Sequence, residues 1–120
     1  MIDILVIDDE QMLRDLLLRI LRREGYAVAT AGNGREGLEV FAATPARLVV
    51  IDMNMPEMGG AGTISELRRT GRGFSILAMS GVPWRSPDAP KAIGADAGIT
   101  KPFLPSAFLG VVKAMLEDVP

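Results

Sequence analysis

Apolar residues follow two rhythms along this chain. The first is the unbroken run. Residues 3–7 contain Ile4-Leu5-Val6-Ile7, residues 47–52 (RLVVID) contain Leu48-Val49-Val50-Ile51, and residues 74–80 (FSILAMS) carry a third such run. Short continuous runs of this kind read as strands covered on both faces. The second rhythm is helical. Leu13, Leu16, Leu17, Ile20 and Leu21 fall at i, i+3, i+4, i+7 and i+8, and Gly25 ends that helix. Residues 26–31 (YAVATA) form a short strand. GNGREGLEVFAAT gives a weaker helix with an inner face of Leu38, Phe41 and Ala42, stopped by Pro45. MNMPEMGG reads as loop. Ile64 and Leu67 mark a short helix before TGRG. GVPWRSPDAP (81–90) reads mostly as loop, KAIGADAGIT as a helix end followed by a strand at 97–100. Leu104, Phe108, Val111, Val112 and Met115 mark the last helix.

The order is βαβαβαβαβα over residues 1–120, one domain without repeat or low-complexity segment. Such alternation predicts an α/β fold: a five-stranded parallel sheet with helices on both faces and right-handed crossovers. In open sheets of this kind ligands bind beyond the carboxyl ends of the strands. The polar residues there are Asp8 and Asp9 after the first strand, Asp52 after the third, Ser80 after the fourth and Lys101 after the fifth. Four distant segments would thus meet at one edge.

Composition narrows the chemistry. A net charge of −2 argues against a nucleic-acid surface. No apolar stretch approaches membrane-helix length, and acidic Asp3 without a basic flank argues against a signal peptide. The chain has no cysteine and no histidine, which removes disulfides, thiol nucleophiles, imidazole bases, imidazole metal ligands and phosphohistidine. A carboxylate cluster without nitrogen or sulfur ligands suits a hard cation, Mg²⁺ above all, with Mn²⁺ as the alternative. A lysine and a hydroxyl aimed at the same point suggest a phosphoryl group beside the metal. An aspartate can be the nucleophile toward phosphorus, and needs no general base because carboxylates are ionised at neutral pH.

Asp8-Asp9 also fit a cap on the first helix, and both roles are compatible. Glu10 reads as a first-turn residue of that helix. Ser80 before Gly81 also reads as a turn serine, Lys101 by itself as a surface lysine, and Met53, Met55 and Met58 as loop packing. Trp84, the only tryptophan, reads equally as a partial core anchor or an exposed partner contact.

IDDE, IDMNMPEMGG, MSG and TKPF, each ending a different strand, resemble the receiver domain of bacterial two-component response regulators. The resemblance spans essentially the whole chain. It implies a flavodoxin-like fold, with Asp52 as phosphoacceptor and Asp9 as direct metal ligand. Asp8 would hold a metal-bound water, and Asn54 would lend its backbone carbonyl to the metal. Ser80 would meet the phosphoryl group, and Lys101 would pair with it. It further implies a cis bond before Pro102 and a loop closed by Gly60. The implied donor is a sensor histidine kinase or a histidine phosphotransfer protein. The implied readout is a downstream protein target or effector domain, or a phosphorylation-dependent dimer. The setting is cytoplasmic, with no direct nucleic acid and no membrane. The protein would promote only its own phosphotransfer and dephosphorylation.

Two departures stand out. Family members carry an aromatic residue three before the lysine, where this chain has Gly98. Pro83, Pro87 and Pro90 fall where the fourth helix belongs, so that helix is short or irregular, with Pro87 or Pro90 in its first turn. Trp84 is then a candidate stand-in for the missing aromatic, placed with Ser80, Gly81 and Gly98 in the switch region. Two rival readings are a pseudo-receiver that binds partners without phosphorylation and a phosphatase of the haloacid-dehalogenase type. Against the phosphatase, Asn54 stands where the general acid would be. The absence of a linker after Glu117 favours a stand-alone regulator over a piece of a longer chain.

Overall fold

A computed structural model describes residues 1–117; the last three residues of the domain read from the sequence lie outside the described residues. The elements are β1 (Ile2–Ile7), α1 (Gln11–Arg23), β2 (Val28–Ala31), α2 (Gly34–Ala43), β3 (Ala46–Asp52) and α3 (Gly59–Arg68). They continue with β4 (Ser75–Ser80), α4 (Ala89–Ala92), β5 (Ala97–Thr100) and α5 (Pro105–Glu117). All strands are parallel, in the order β2-β1-β3-β4-β5. This is the flavodoxin-like doubly wound order, whose switch point lies between β1 and β3. The fourth helix is short, as the prolines require: α4 has four residues, with Pro90 in its first turn.

The unbroken runs form the three central strands because both of their faces are covered. Ile4–Ile7, Leu48–Ile51 and Ile76–Met79 are fully buried. Alternate residues feed two cores. Leu5, Ile7, Val49, Ile51, Ile76 and Ala78 pack with Phe41 of α2 and Ile64 and Leu67 of α3. Ile4, Val6, Leu48, Val50, Leu77 and Met79 pack with Leu17 and Leu21 of α1 and Phe108 and Val112 of α5.

Several expectations need correction. Within α2 the buried face is Gly34, Gly37 and Phe41; Leu38 is half-buried and Ala42 is exposed. The glycines turn that helix. A Cβ on Gly37 would lie 2.4 Å from Ile7 Cδ1, so the backbone itself packs on β1. Leu16 is 43% exposed, outside the buried Leu17 and Leu21 of α1, and Leu104, just before α5, is also exposed. Gly59 and Gly60 open α3 instead of ending the preceding loop. The second strand starts at Val28, since Tyr26 N–H still donates to Leu21 O of the helix end and Ala27 N–H to Asp3 Oδ2. No helix among the described residues is long and apolar enough to cross a membrane.

Candidate functional site

The carboxyl ends of β1, β3, β4 and β5 converge at the switch point. Asp8 is fully buried there. Its Oδ1 accepts Glu10 N–H at 2.8 Å, its Oδ2 accepts Lys101 Nζ at 3.1 Å, and its backbone carbonyl accepts the Arg14 guanidinium at 2.7 Å. The Asp8 carboxylate therefore shapes the β1–α1 turn and does not cap the helix. Glu10 is itself the N-cap residue, with extended backbone and no side-chain cap, and the first turn of α1 contains no acid. Both the cap reading of the acidic pair and the first-turn reading of Glu10 are thereby corrected. The reason is local: the turn and Lys101 already engage Asp8, and Asp9 is exposed toward solvent.

Asp52 ends β3 and is almost fully buried. The Met53 N–H donates to Met79 O at 2.9 Å, which pins the strand end against β4. Asp52 Oδ1 accepts the Asn54 backbone N–H at 3.0 Å and lies 3.3 Å from Lys101 Nζ. Gly60, in the first turn of α3, lies tight against the end of β3: a Cβ there would sit 2.6 Å from Met53 Cα and 2.8 Å from the Asp52 carbonyl oxygen. Met55 is buried and Met53 packs on the core, whereas Met58 is exposed.

Lys101 follows β5, with its backbone N–H donating to Ser80 O at 2.7 Å and a cis bond to Pro102 behind it. Its ammonium bridges two acids, Asp8 and Asp52. Burial drives the Asp8 pKa up; the Glu10 N–H opposes this, the charge of Asp52 adds to the rise, and Lys101 offsets part of it. Burial works against the charged form of Lys101 too. There, Asp8 and then Asp52 outweigh it and hold the pKa above the ordinary lysine value. The Ser80 hydroxyl, nearly buried, donates to Val82 O at 2.8 Å and accepts Val82 N–H at 3.2 Å. A Cβ on Gly81 would lie 3.0 Å from Asn54 Nδ2, so the β3 and β4 loops touch.

The structure thus brings Asp8, Asp9, Asp52 and Lys101 together, with Ser80, Gly81 and Asn54 alongside. Trp84 and Gly98 are not part of that group: they pack on each other, and the indole N–H donates to the Ile99 carbonyl of β5. Two contacts carried no signal in the sequence: the Arg14 bond to the Asp8 carbonyl, and the second half of the Lys101 bridge. Both depend on side-chain reach across segments. Asp8, Asp9 and Asp52 each offer a carboxylate oxygen, all within 4.8 Å of one another. An all-oxygen, all-anionic donor set fits a hard divalent cation.

The model of the response regulator receiver domain family matches residues 4–113. Among curated relatives, the response regulator MprA of Mycolicibacterium vanbaalenii is 35% identical, covering 95% of this chain and 50% of its own. The probable transcriptional regulator ycf27 of Porphyridium aerugineum is 37% identical, covering 97% and 48%. The chain spans about half the length of these curated relatives. The solved chemotaxis response regulator CheY4 of Vibrio cholerae aligns with TM-score 0.87 at 29% identity, covering 96% of this chain and 98% of the other. A CheY-like receiver domain protein from Methanospirillum hungatei aligns with TM-score 0.88 at 28% identity, covering 98% and 95%. With a family model matched along nearly its whole length, and the acidic pocket where that fold binds its ligands, this chain belongs to the response regulator receiver domains.

Proposed function

We propose that this domain is a phosphoacceptor switch that takes a phosphoryl group on Asp52 from the phosphohistidine of a partner kinase or histidine phosphotransfer protein. The observation that carries this reading is the Lys101 ammonium, 3.1 Å from Asp8 and 3.3 Å from Asp52, beside exposed Asp9 in the β1/β3 crevice. An Asp52 carboxylate oxygen attacks phosphorus. The O–P bond forms as the N–P bond breaks, and the imidazole leaves with the electron pair and takes a proton from solvent. The product is an acyl phosphate. The carboxylate nucleophile has no proton to lose, so the chain's lack of histidine is no obstacle.

Receiver domains bind Mg²⁺ at an acidic pocket, and the carboxylates present here fit one. Asp9, Asp52 and the Asn54 carbonyl would hold Mg²⁺ or Mn²⁺ directly, with Asp8 acting through water. When bound, the cation neutralises the carboxylates and the phosphoryl oxygens. Lys101 supplies the fixed positive charge, and the Ser80 hydroxyl supplies a neutral donor. Rearrangement of Ser80 and the loop after it on phosphorylation alters the surface offered to a downstream target, an effector domain or a second copy of the domain. A solved probable two-component system response regulator/GGDEF domain protein matches this chain over 50% of its own length, which supports an effector-linked readout. A phosphohistidine donor places the reaction in the cytoplasm. The domain turns over no external substrate.

Incubation with acetyl phosphate and Mg²⁺, followed by intact-mass measurement, tests this. Wild type gains a phosphoryl mass and Asp52→Ala does not. A wild type that gains none sinks the reading in favour of a pseudo-receiver, and turnover of a small phosphomonoester would favour the phosphatase.

A further inference from the structure

Between Gly81 and Asp88 every residue is exposed except Trp84, which is half-buried and packs on the core shared with α2 and α3. Its seat is Gly98. A Cβ built at Gly98 would lie 2.6 Å from Trp84 Cε2, 2.6 Å from Trp84 Nε1 and 2.6 Å from Pro90 Cγ. The indole therefore occupies the volume that any side chain at position 98 would need. Its Nε1–H donates to the Ile99 carbonyl at 3.3 Å. That carbonyl lies on β5, the last strand of the sheet, and in the parallel register it faces β4 as the Lys101 N–H does. The glycine on β5 and the tryptophan of the β4–α4 segment are complementary halves of one contact.

The same segment has a second tie, at its other end. The Ser80 hydroxyl grips Val82 through both backbone groups. A serine hydroxyl carries one proton. If it donates that proton to a phosphoryl oxygen on Asp52, it releases the Val82 carbonyl. Only Pro83 separates Val82 from Trp84.

We propose that Trp84 is a latch seated on Gly98, and that recruitment of the Ser80 hydroxyl to phosphorylated Asp52 frees residues 81–84 and unseats the indole. The opened state uncovers Gly98, creating a phosphorylation-dependent surface over β5. This rests on the phosphoacceptor reading above and names the regulated element. It also explains how a receiver domain manages with glycine where the resemblance calls for an aromatic residue.

Because Trp84 is the only tryptophan, its fluorescence reports the seat without ambiguity. Phosphoryl mass, emission maximum and acrylamide quenching are to be measured on one sample treated with acetyl phosphate and Mg²⁺. The latch requires a red shift and stronger quenching in proportion to the phosphoryl mass. Gly98→Ala fills the seat. It should show shifted emission before treatment, no further shift afterwards, and still gain the phosphoryl mass, with far-UV circular dichroism unchanged. A wild type that gains the mass with emission and quenching unaltered overturns the latch and leaves the phosphoacceptor reading standing. A wild type that gains no mass overturns that reading, and with it the phosphorylation trigger. Ser80→Ala then decides the mechanical link alone: stronger quenching of Trp84 without any phosphoryl group supports it, and unchanged quenching overturns it.

Discussion

Removing the Arg68 side chain should destabilise this domain by about 2–3 kcal/mol, more than an ordinary surface residue. Arg68 is the last residue of α3. Its Nε donates to Gly94 O at 2.9 Å, Nη1 to Phe74 O at 2.9 Å and Nη2 to Asp96 Oδ2 at 2.8 Å. The guanidinium also lies 4.9 Å from the centre of the Phe74 ring. Asp96 Oδ2 in turn accepts Ile76 N–H at 2.8 Å. With α4 only four residues long, this fork fastens the turn that leads into β5 and so to Lys101. The magnitude follows from exposure. The side chains of Arg68 and Asp96 are 33% and 50% accessible, so solvent screening limits their ion pair to roughly 0.5 kcal/mol. Each charged-donor bond to a backbone carbonyl adds about 1 kcal/mol. The ring contact adds about 0.5 kcal/mol. Arg68→Ala should lower the urea midpoint by roughly 1–2 M. Amide exchange in β5 should accelerate in the same variant. Arg68→Lys keeps the charge but is a point donor without the planar fork, and should recover about a third of the loss. A cost below about 1 kcal/mol for Arg68→Ala, or a lysine variant as stable as wild type, would refute this account.

Further outcomes follow from the acidic pocket. Mg²⁺ at about one hundred times its dissociation constant should raise stability by about 2.7 kcal/mol in thermal or urea melts, and Asp9→Ala should lose most of that rise. Gly60→Ala places a methyl group against backbone at Met53 and Asp52, so it should cost about 1–3 kcal/mol and slow phosphorylation measured by mass. Gly62→Ala, which meets only the flexible Met58 side chain, is the control and should be neutral or stabilising. The folded Asp8 pKa lies above its ordinary 3.8, so between 3.8 and the raised value the metal-free fold holds a proton that the unfolded chain has released. The Asp8 contribution to stability is therefore largest below 3.8 and falls as pH rises through the raised value. Urea midpoints against pH, compared with Asp8→Asn, should show that decline only in wild type. The folded Lys101 pKa is raised as well, so its stabilising contribution is complete below 10.5 and is lost as pH climbs past the raised value.

The three central strands were legible because burial on both faces leaves no polar residue to interrupt their apolar runs. The strand ends exposed the site for the converse reason: polar side chains after such runs mark where the sheet meets solvent. Helix orientation was less legible. Ala42 and Leu16 are apolar at helical spacing, yet both are exposed; in α2 the face that turns inward is set by Gly37 lying against Ile7 of β1 and Gly34 against Thr63 of α3. Gly98 read as a loss for a deeper reason. A missing side chain carries no record of what fills the space, and the filler lies fourteen residues away in a proline-rich loop.

Charge balance ties the two features together. Asp8, Asp9 and Asp52 against the single ammonium of Lys101 leave two negative charges in the pocket, which one divalent cation cancels. Phosphorylation of Asp52, if it occurs as proposed above, would exchange its single charge for about two on the phosphoryl group, so negative charge would return. Lys101 is already shared between Asp8 and Asp52, and moving it to the phosphoryl group would leave the buried Asp8 carboxylate without a countercharge. A neutral donor is then the least costly addition. The Ser80 hydroxyl is at hand, with its proton on loan to Val82. On this argument the strain of accommodating the phosphoryl group falls on the 81–84 segment and not on the acidic pocket, and Trp84 is the residue placed to register it.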